Sequence, residues 1–150
     1  MYVSLRRPTD EVFLPSPVLA YSAPPMIQFY SREFFDELAR QLSSDREWGA
    51  RVKGLDVRIV CTAVDKTRSF LLDVRAGSVT AEDATPDTPA DFRFEGHYDD
   101  WVRLCKGEVE VDKLVQTGKL RIAGSLPDAM GMMGPLNYMV IVARRFPKEF

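Results

Sequence analysis

A chain of 150 residues carrying a net charge of −2 is one domain in size, long enough to bury a core without a disulfide or metal staple. Hydrophobic residues make up 45% and charged residues 28%, an ordinary globular balance. Lys and Arg are interspersed with Asp and Glu, so no basic field favours a nucleic-acid backbone, and no apolar run approaches the roughly 20 residues of a membrane-spanning helix.

Residues 1–29 stand apart. Pro8, Pro15, Pro17, Pro24 and Pro25 break helices and remove strand donors, yet Val12, Phe13, Leu14, Val18, Leu19, Ile27 and Phe29 are too apolar for a free tail. The expectation is an extended arm, lying on its own domain or on a neighbouring subunit as an oligomer contact. No apolar stretch follows a basic start, so no signal peptide is expected.

From residue 30 onward the chain reads as a folded domain. Ser31 is a good N-cap, with Tyr30 before it and Phe35 placed for a hydrophobic staple. Phe34, Phe35, Leu38, Ala39 and Leu42 then repeat at helical spacing. Ser43, Ser44 and Asp45 end this helix and cap a shorter one carrying Trp48 and Val52, which stops at Gly54. Leu55, Val57, Ile59, Cys61 and Ala63 alternate with Asp56, Arg58, Val60, Thr62 and Val64; after a turn at Asp65 the pattern resumes through Phe70, Leu72 and Val74, and after Ala76-Gly77 through Val79 and Ala81. This predicts an antiparallel meander with one covered face. Residues 83–89, with Pro86 and Pro89, are expected to stay out of the sheet, and residues 91–95 form a fourth strand. Tyr98, Trp101, Leu104 and Cys105 mark an amphipathic helix that Gly107 ends. A short helical piece with Leu114 and Val115 follows, then a fifth strand over residues 120–124. The tail is apolar and Met-rich; its first part reads as helix, and residues 137–142 fit helix or strand.

Chemistry is sparse. His97 is the single histidine, and it precedes a helix as an exposed start residue would. Cys61 and Cys105 have no metal-ligand spacing and read as buried free thiols of a reducing, cytoplasmic setting. Asp99 and Asp100 complement the positive end of the helix they start, and adjacent helical positions do not converge on one ligand. Glu108, Glu110 and Asp112 read as a solvated face, and Arg144, Arg145 and Lys148 as a solvated helix end. Residues 131–134 are Gly-Met-Met-Gly, apolar where a phosphate loop is polar, and no nucleophile elbow or dinucleotide fingerprint is present. Met130, Met132, Met133 and Met139 lie in one stretch, which suits either an adaptable ligand surface or a closing helix packed on the sheet.

Three segments in order carry a resemblance: Ala90-Asp91-Phe92-Arg93-Phe94-Glu95-Gly96, then Trp101 to Val109 around Gly107, then Thr117-Gly118-Lys119-Leu120-Arg121-Ile122-Ala123-Gly124-Ser125. Together with the helix and meander upstream they resemble the sterol-carrier-protein-two (SCP2) domain over residues 31–143. Lys106 precedes Gly107 instead of following it, Ser125 stands where the family often has an acid, and Pro147-Lys148-Glu149-Phe150 is no peroxisomal signal. These departures point away from a eukaryotic peroxisomal carrier and towards a prokaryotic relative.

The resemblance implies an α+β fold, a five-stranded, mostly antiparallel sheet covered on one face by helices, with an apolar cavity between the layers. It implies non-catalytic binding of a fatty acid, acyl-CoA, sterol or related lipid with no cofactor, and by analogy it places Phe94, Trp101, Leu104, Met130, Met133 and Leu136 near the ligand. Gly131, Gly134 and Pro135 interrupt the last apolar segment and are candidate hinges for entry. Two other readings stay open: an assembly module with a vestigial cavity and the arm as docking element, and an enzyme using His97.

Overall fold

The computed structural model describes residues 26–124 and 126–150. The expected arm lies outside the described residues up to position 25. Its last part packs on the domain itself: β1 (Ile27–Gln28) pairs in parallel with β7 (Lys148–Glu149), and Phe29 is buried.

The first helix forms as its local chemistry directs. Ser31 Oγ accepts the Phe34 N–H at 3.2 Å and caps α1 (Arg32–Ser43). The Tyr30 and Phe35 rings meet edge-on at 5.2 Å, so the staple is present. Phe34, Phe35, Leu38, Ala39 and Leu42 make its buried face. Asp45 caps α2 (Arg46–Arg51) by accepting the Trp48 N–H at 2.9 Å. Trp48 is enclosed, and its indole N–H donates to the Gly77 carbonyl at 3.2 Å, pinning α2 to a strand turn.

The five-stranded sheet contains β2 (Asp56–Ala63), β3 (Arg68–Arg75), β4 (Ser78–Ala84), β5 (Phe92–Gly96) and β6 (Leu120–Ala123), in spatial order β4-β3-β2-β5-β6. Every pairing is antiparallel except that of β2 with β5. Two backbone-level bonds at the strand starts set that parallel register: Arg58 N–H donates to Asp91 Oδ2 at 2.8 Å, and Asp91 N–H donates to the Arg58 carbonyl at 2.9 Å. The expectation that residues 83–89 avoid the sheet needs correcting at its start. Asp83 and Ala84 continue β4 opposite Phe70 and Ser69, because the meander register still offers them partners and the first proline comes only at Pro86.

Alternation places Ile59, Cys61, Phe70, Leu72 and Phe94 on one face, beneath the helices. The other face carries Arg58, Thr62, Ser69, Asp73 and Glu95, with a 2.7 Å hydroxyl pair between Thr62 and Ser69.

The remaining helices are α3 (Tyr98–Lys106), α4 (Val111–Gln116), α5 (Leu126–Gly131) and α6 (Met133–Ala143). His97 precedes α3 without a side-chain cap. Asp65, from the β2–β3 turn, does the capping instead and accepts the Tyr98 N–H at 2.8 Å. Gly107 ends α3 with φ of 81°, a left-handed conformation that glycine adopts without steric cost. Residues 137–142, which fit either class in the sequence, are helical, since Leu136, Met139, Val142 and Ala143 bury one face against the rest of the core.

Candidate functional site

The layers do not close completely. A hollow of about 60 Å³ lies between sheet and helices, and its wall is wholly apolar. Ile59 and Cys61 of β2 and Leu72 of β3 form the floor. Phe34, Phe35 and Leu38 of α1 stand on one side, with Trp101, Leu104 and Cys105 of α3 on another. Leu136, Met139, Val140 and Ala143 of α6 form the roof, and Phe29 and Tyr30 close the end where the chain enters.

Polar bonds outside the hollow hold these walls. Trp101 Nε1 donates to the Thr62 carbonyl at 3.0 Å, which fixes the indole and leaves it no free donor. The Arg144 guanidinium donates to the Leu104 carbonyl at 2.9 and 3.0 Å and to the Val109 carbonyl at 3.3 Å, tying the end of α6 to α3. Tyr138 donates its hydroxyl to Asp45 Oδ1 at 2.8 Å, and Arg145 reaches Asp45 Oδ2 at 3.0 Å, tying α6 to α2.

The lining is poor in reactive groups. Burial pushes the Cys61 thiol up to about 12, so it stays protonated and is a weak nucleophile. Burial also raises Cys105, against the opposing pull of Lys148 and Arg144, and its Sγ contacts the Ala143 carbonyl at 3.7 Å. Tyr30 Oη is buried with no hydrogen-bond partner among the described residues, an arrangement that ordinarily costs about 1–3 kcal/mol. His97 is exposed at the surface, 3.9 Å from Asp65, and does not line the hollow. Among the described residues no three His, Cys, Asp or Glu side chains gather as a metal site, and no helix is long and apolar enough to cross a membrane. The arrangement offers apolar contact alone.

Of the six residues named from sequence, Trp101, Leu104 and Leu136 line the hollow. Phe94 is buried on the helix side of β5, opposite Cys61, without reaching it. Met133 is half-buried against the core, and Met130 is 70% exposed on α5. Sequence reasoning did not assign α1 to the site, although its apolar face was legible, nor Phe29 and Tyr30. A second, larger recess of about 570 Å³ opens where β2 and β5 begin, but its lining mixes Arg51, Lys53, Asp56, Asp91 and Asp128 with Met132 and Pro135.

Residues 35–137 match the profile of the SCP-2 sterol transfer family. A curated relative, non-specific lipid-transfer protein-like 1 of Caenorhabditis elegans, is 21% identical over 117 residues, covering 77% of this chain and 98% of that protein. A crystal structure of sterol carrier protein 2 superposes with a TM-score of 0.70 at 16% identity, over 79% of this chain and 98% of that one. The solution structure of a conserved hypothetical protein from Thermus thermophilus, described as possibly a sterol carrier protein, does so with a TM-score of 0.68 at 16% identity, over 85% of this chain and 96% of that one. These superpositions establish a common fold, and since the family profile spans most of the sequence, from the first helix to the middle of the last, the chain belongs to the SCP-2 sterol transfer family.

Proposed function

We propose that this protein binds the hydrocarbon part of a lipid in the hollow between sheet and helices and carries it without chemical change. The observation that carries this reading is the wholly apolar wall, built from five separate elements and holding no acid–base pair. Burying ligand methylenes contributes about 0.8 kcal/mol each, so a chain of modest length binds with few polar contacts. The buried, free Cys61 and Cys105 support a reducing, cytoplasmic setting. In this reading residues 30–150 are the binding domain and residues 1–29 an appended arm.

The hollow is small. At about 60 Å³ it falls short of the roughly 150 Å³ apolar void that takes benzene. A long chain therefore enters only if a wall moves, and α6 is the wall whose first turn carries Gly134 and Pro135 and which Gly131 at the end of α5 precedes.

The small volume also favours a second reading, an assembly module with a vestigial hollow and residues 1–29 as docking element. Native mass spectrometry of the full chain, purified without detergent or denaturant, separates the two. The carrier reading expects a co-purified lipid adduct that Ala143→Leu, which fills the roof, removes. Bare protein, still bare after incubation with lipid vesicles, together with an oligomer lost on truncation before Met26, would overturn it.

A further inference from the structure

The hollow has a larger neighbour in the same gap between sheet and helices. The recess of about 570 Å³ at the starts of β2 and β5 continues its floor. Val57, in the recess, stands two residues before Ile59 on the same face of β2, and Phe92 pairs with Ile59 across the sheet. The roof continues as well. Met132 borders the recess and Leu136 the hollow, and the Leu136 N–H donates to the Met132 carbonyl at 2.8 Å, one helical turn away. The two spaces thus lie in series, parted by buried apolar side chains that include Phe92 and Met132.

Size and lining set different tasks for the two. The recess falls within the roughly 300–1,000 Å³ of small-molecule sites, whereas the hollow, at about 60 Å³, takes only the tip of a chain. The inner end of the recess is apolar, and its mouth is charged by exposed Lys53, Asp56, Asp91 and Asp128. Arg51 also stands there, held by Glu47 at 3.0 Å. Among the described residues no ion pair joins Lys53 to any of the three carboxylates, the Arg51–Glu47 pair being the one at this mouth. A carboxylate head would meet three like charges against one lysine. A zwitterionic head offers its cation to the carboxylates and its anion to Lys53. Met132 is unbranched and adapts its shape readily, so it can turn aside for a hydrocarbon chain.

We propose that recess and hollow form one ligand site: the recess seats the zwitterionic head and upper chain of a single-chain amphiphile, and Met132 yields to let the chain tip into the hollow. This rests on the lipid-binding reading above and names the head-group seat and the ligand class within it.

The test compares decylphosphocholine with decanoate, one chain length with two heads, titrated by calorimetry below their micellar concentrations into the full chain. The phosphocholine should bind more tightly. Asp128→Asn should weaken it about two- to fivefold, the worth of one exposed charge pair, and leave decanoate no weaker. A Cβ added at Gly131, in the recess wall, meets nothing within 4 Å, so Gly131→Phe fills the space without a clash. That variant should lose about tenfold in affinity, the equivalent of two displaced methylenes. In the native protein, nuclear Overhauser contacts should run from the choline methyls to Leu55 and from the chain's terminal methyl to Met139, a reading independent of any variant. Choline contacts at the opposite end of the hollow, around Phe29, affinities unchanged in both variants, or decanoate binding as tightly as the phosphocholine would overturn the shared site while leaving lipid binding standing. Failure of both amphiphiles to bind overturns the lipid-binding reading itself, and this site with it.

Discussion

The two longest helices over the hollow are built on opposite principles. α1 carries its own instructions: Ser31 caps it, Tyr30 staples it, and Phe34, Phe35, Leu38, Ala39 and Leu42 form a buried stripe against a polar outer face laced by Arg32–Asp36 at 3.0 Å and by Arg40–Glu37. α6 has little of this. Met132 precedes it without a side-chain cap, Gly134 and Pro135 occupy its first turn, and Ile141 remains 46% exposed on an otherwise apolar helix. What fixes α6 is remote and lies from its middle to its end, where Tyr138 and Arg145 reach Asp45 and Arg144 reaches α3. One wall is specified locally and the other by tertiary contacts, and if a ligand enters the hollow as proposed, the start of α6, which lacks those polar bonds, is where entry is expected.

The largest effect separates the walls by packing. Leu42 on α1 is fully enclosed, whereas Leu136 on α6 already borders empty space. Leu42→Ala should cost about 2–5 kcal/mol in urea unfolding, and Leu136→Ala clearly less, because part of its surroundings has no atoms to lose contact with. Equal costs at the two positions would mean that the roof is as tightly packed as α1, and the comparison would fail.

A smaller effect runs the other way. A methyl group added at Gly131, the last residue of α5 just before α6, meets nothing within 4 Å outside its chain neighbours and own helix backbone, and its backbone is not in the left-handed region. Gly131→Ala should therefore stabilise the fold by about 0.4–1 kcal/mol, chiefly by restricting the unfolded chain. If the start of α6 opens for entry, the same change should slow ligand association in stopped flow with little effect on final affinity. An unaltered association rate would place the entrance elsewhere.

This contrast also explains what the sequence made legible. Cap, staple and helical period are local, so α1 was readable to within a residue. Strand alternation gave all five strands of the main sheet but says nothing about partner direction, so the parallel pairing of β2 with β5, set by Asp91 and Arg58, was not. The cap of α3 comes from Asp65, 33 residues upstream of Tyr98, beyond any local pattern. Trp101, Leu104 and Leu136, named by the resemblance, border the hollow because they lie on inward faces of helices. Met130 sits on a six-residue helix, too short for period to tell its faces apart, and it points outward. The short pairing of β1 with β7 joins the two ends of the described chain, where neither segment has a periodic signal of its own.

The smallest effect concerns charge at the tethered end of α6. Burial tends to raise the Asp45 carboxyl, but hydrogen bonds from the Trp48 N–H, Tyr138 and Arg145 outweigh it and hold the group below its ordinary value. A carboxyl with a depressed folded value contributes stability that is fully present above the unfolded value of about 3.9, and that is lost as pH falls through the folded one. Asp45→Asn retains a side-chain oxygen for the Trp48 N–H, so it removes the charge while keeping a good cap. The native protein should then melt above this variant at neutral pH, with the gap narrowing below about pH 4 and closing in stronger acid. Glu37 on α1 is also held low, by its bonds from Arg40 and Gln41, but it is common to both proteins and cancels in the difference. Hydrogen exchange should locate the loss in the amides of α6, with those of α1 unaffected. A gap that stayed constant down to about pH 3, or one that appeared in α1, would show that the Asp45 charge does not hold the roof.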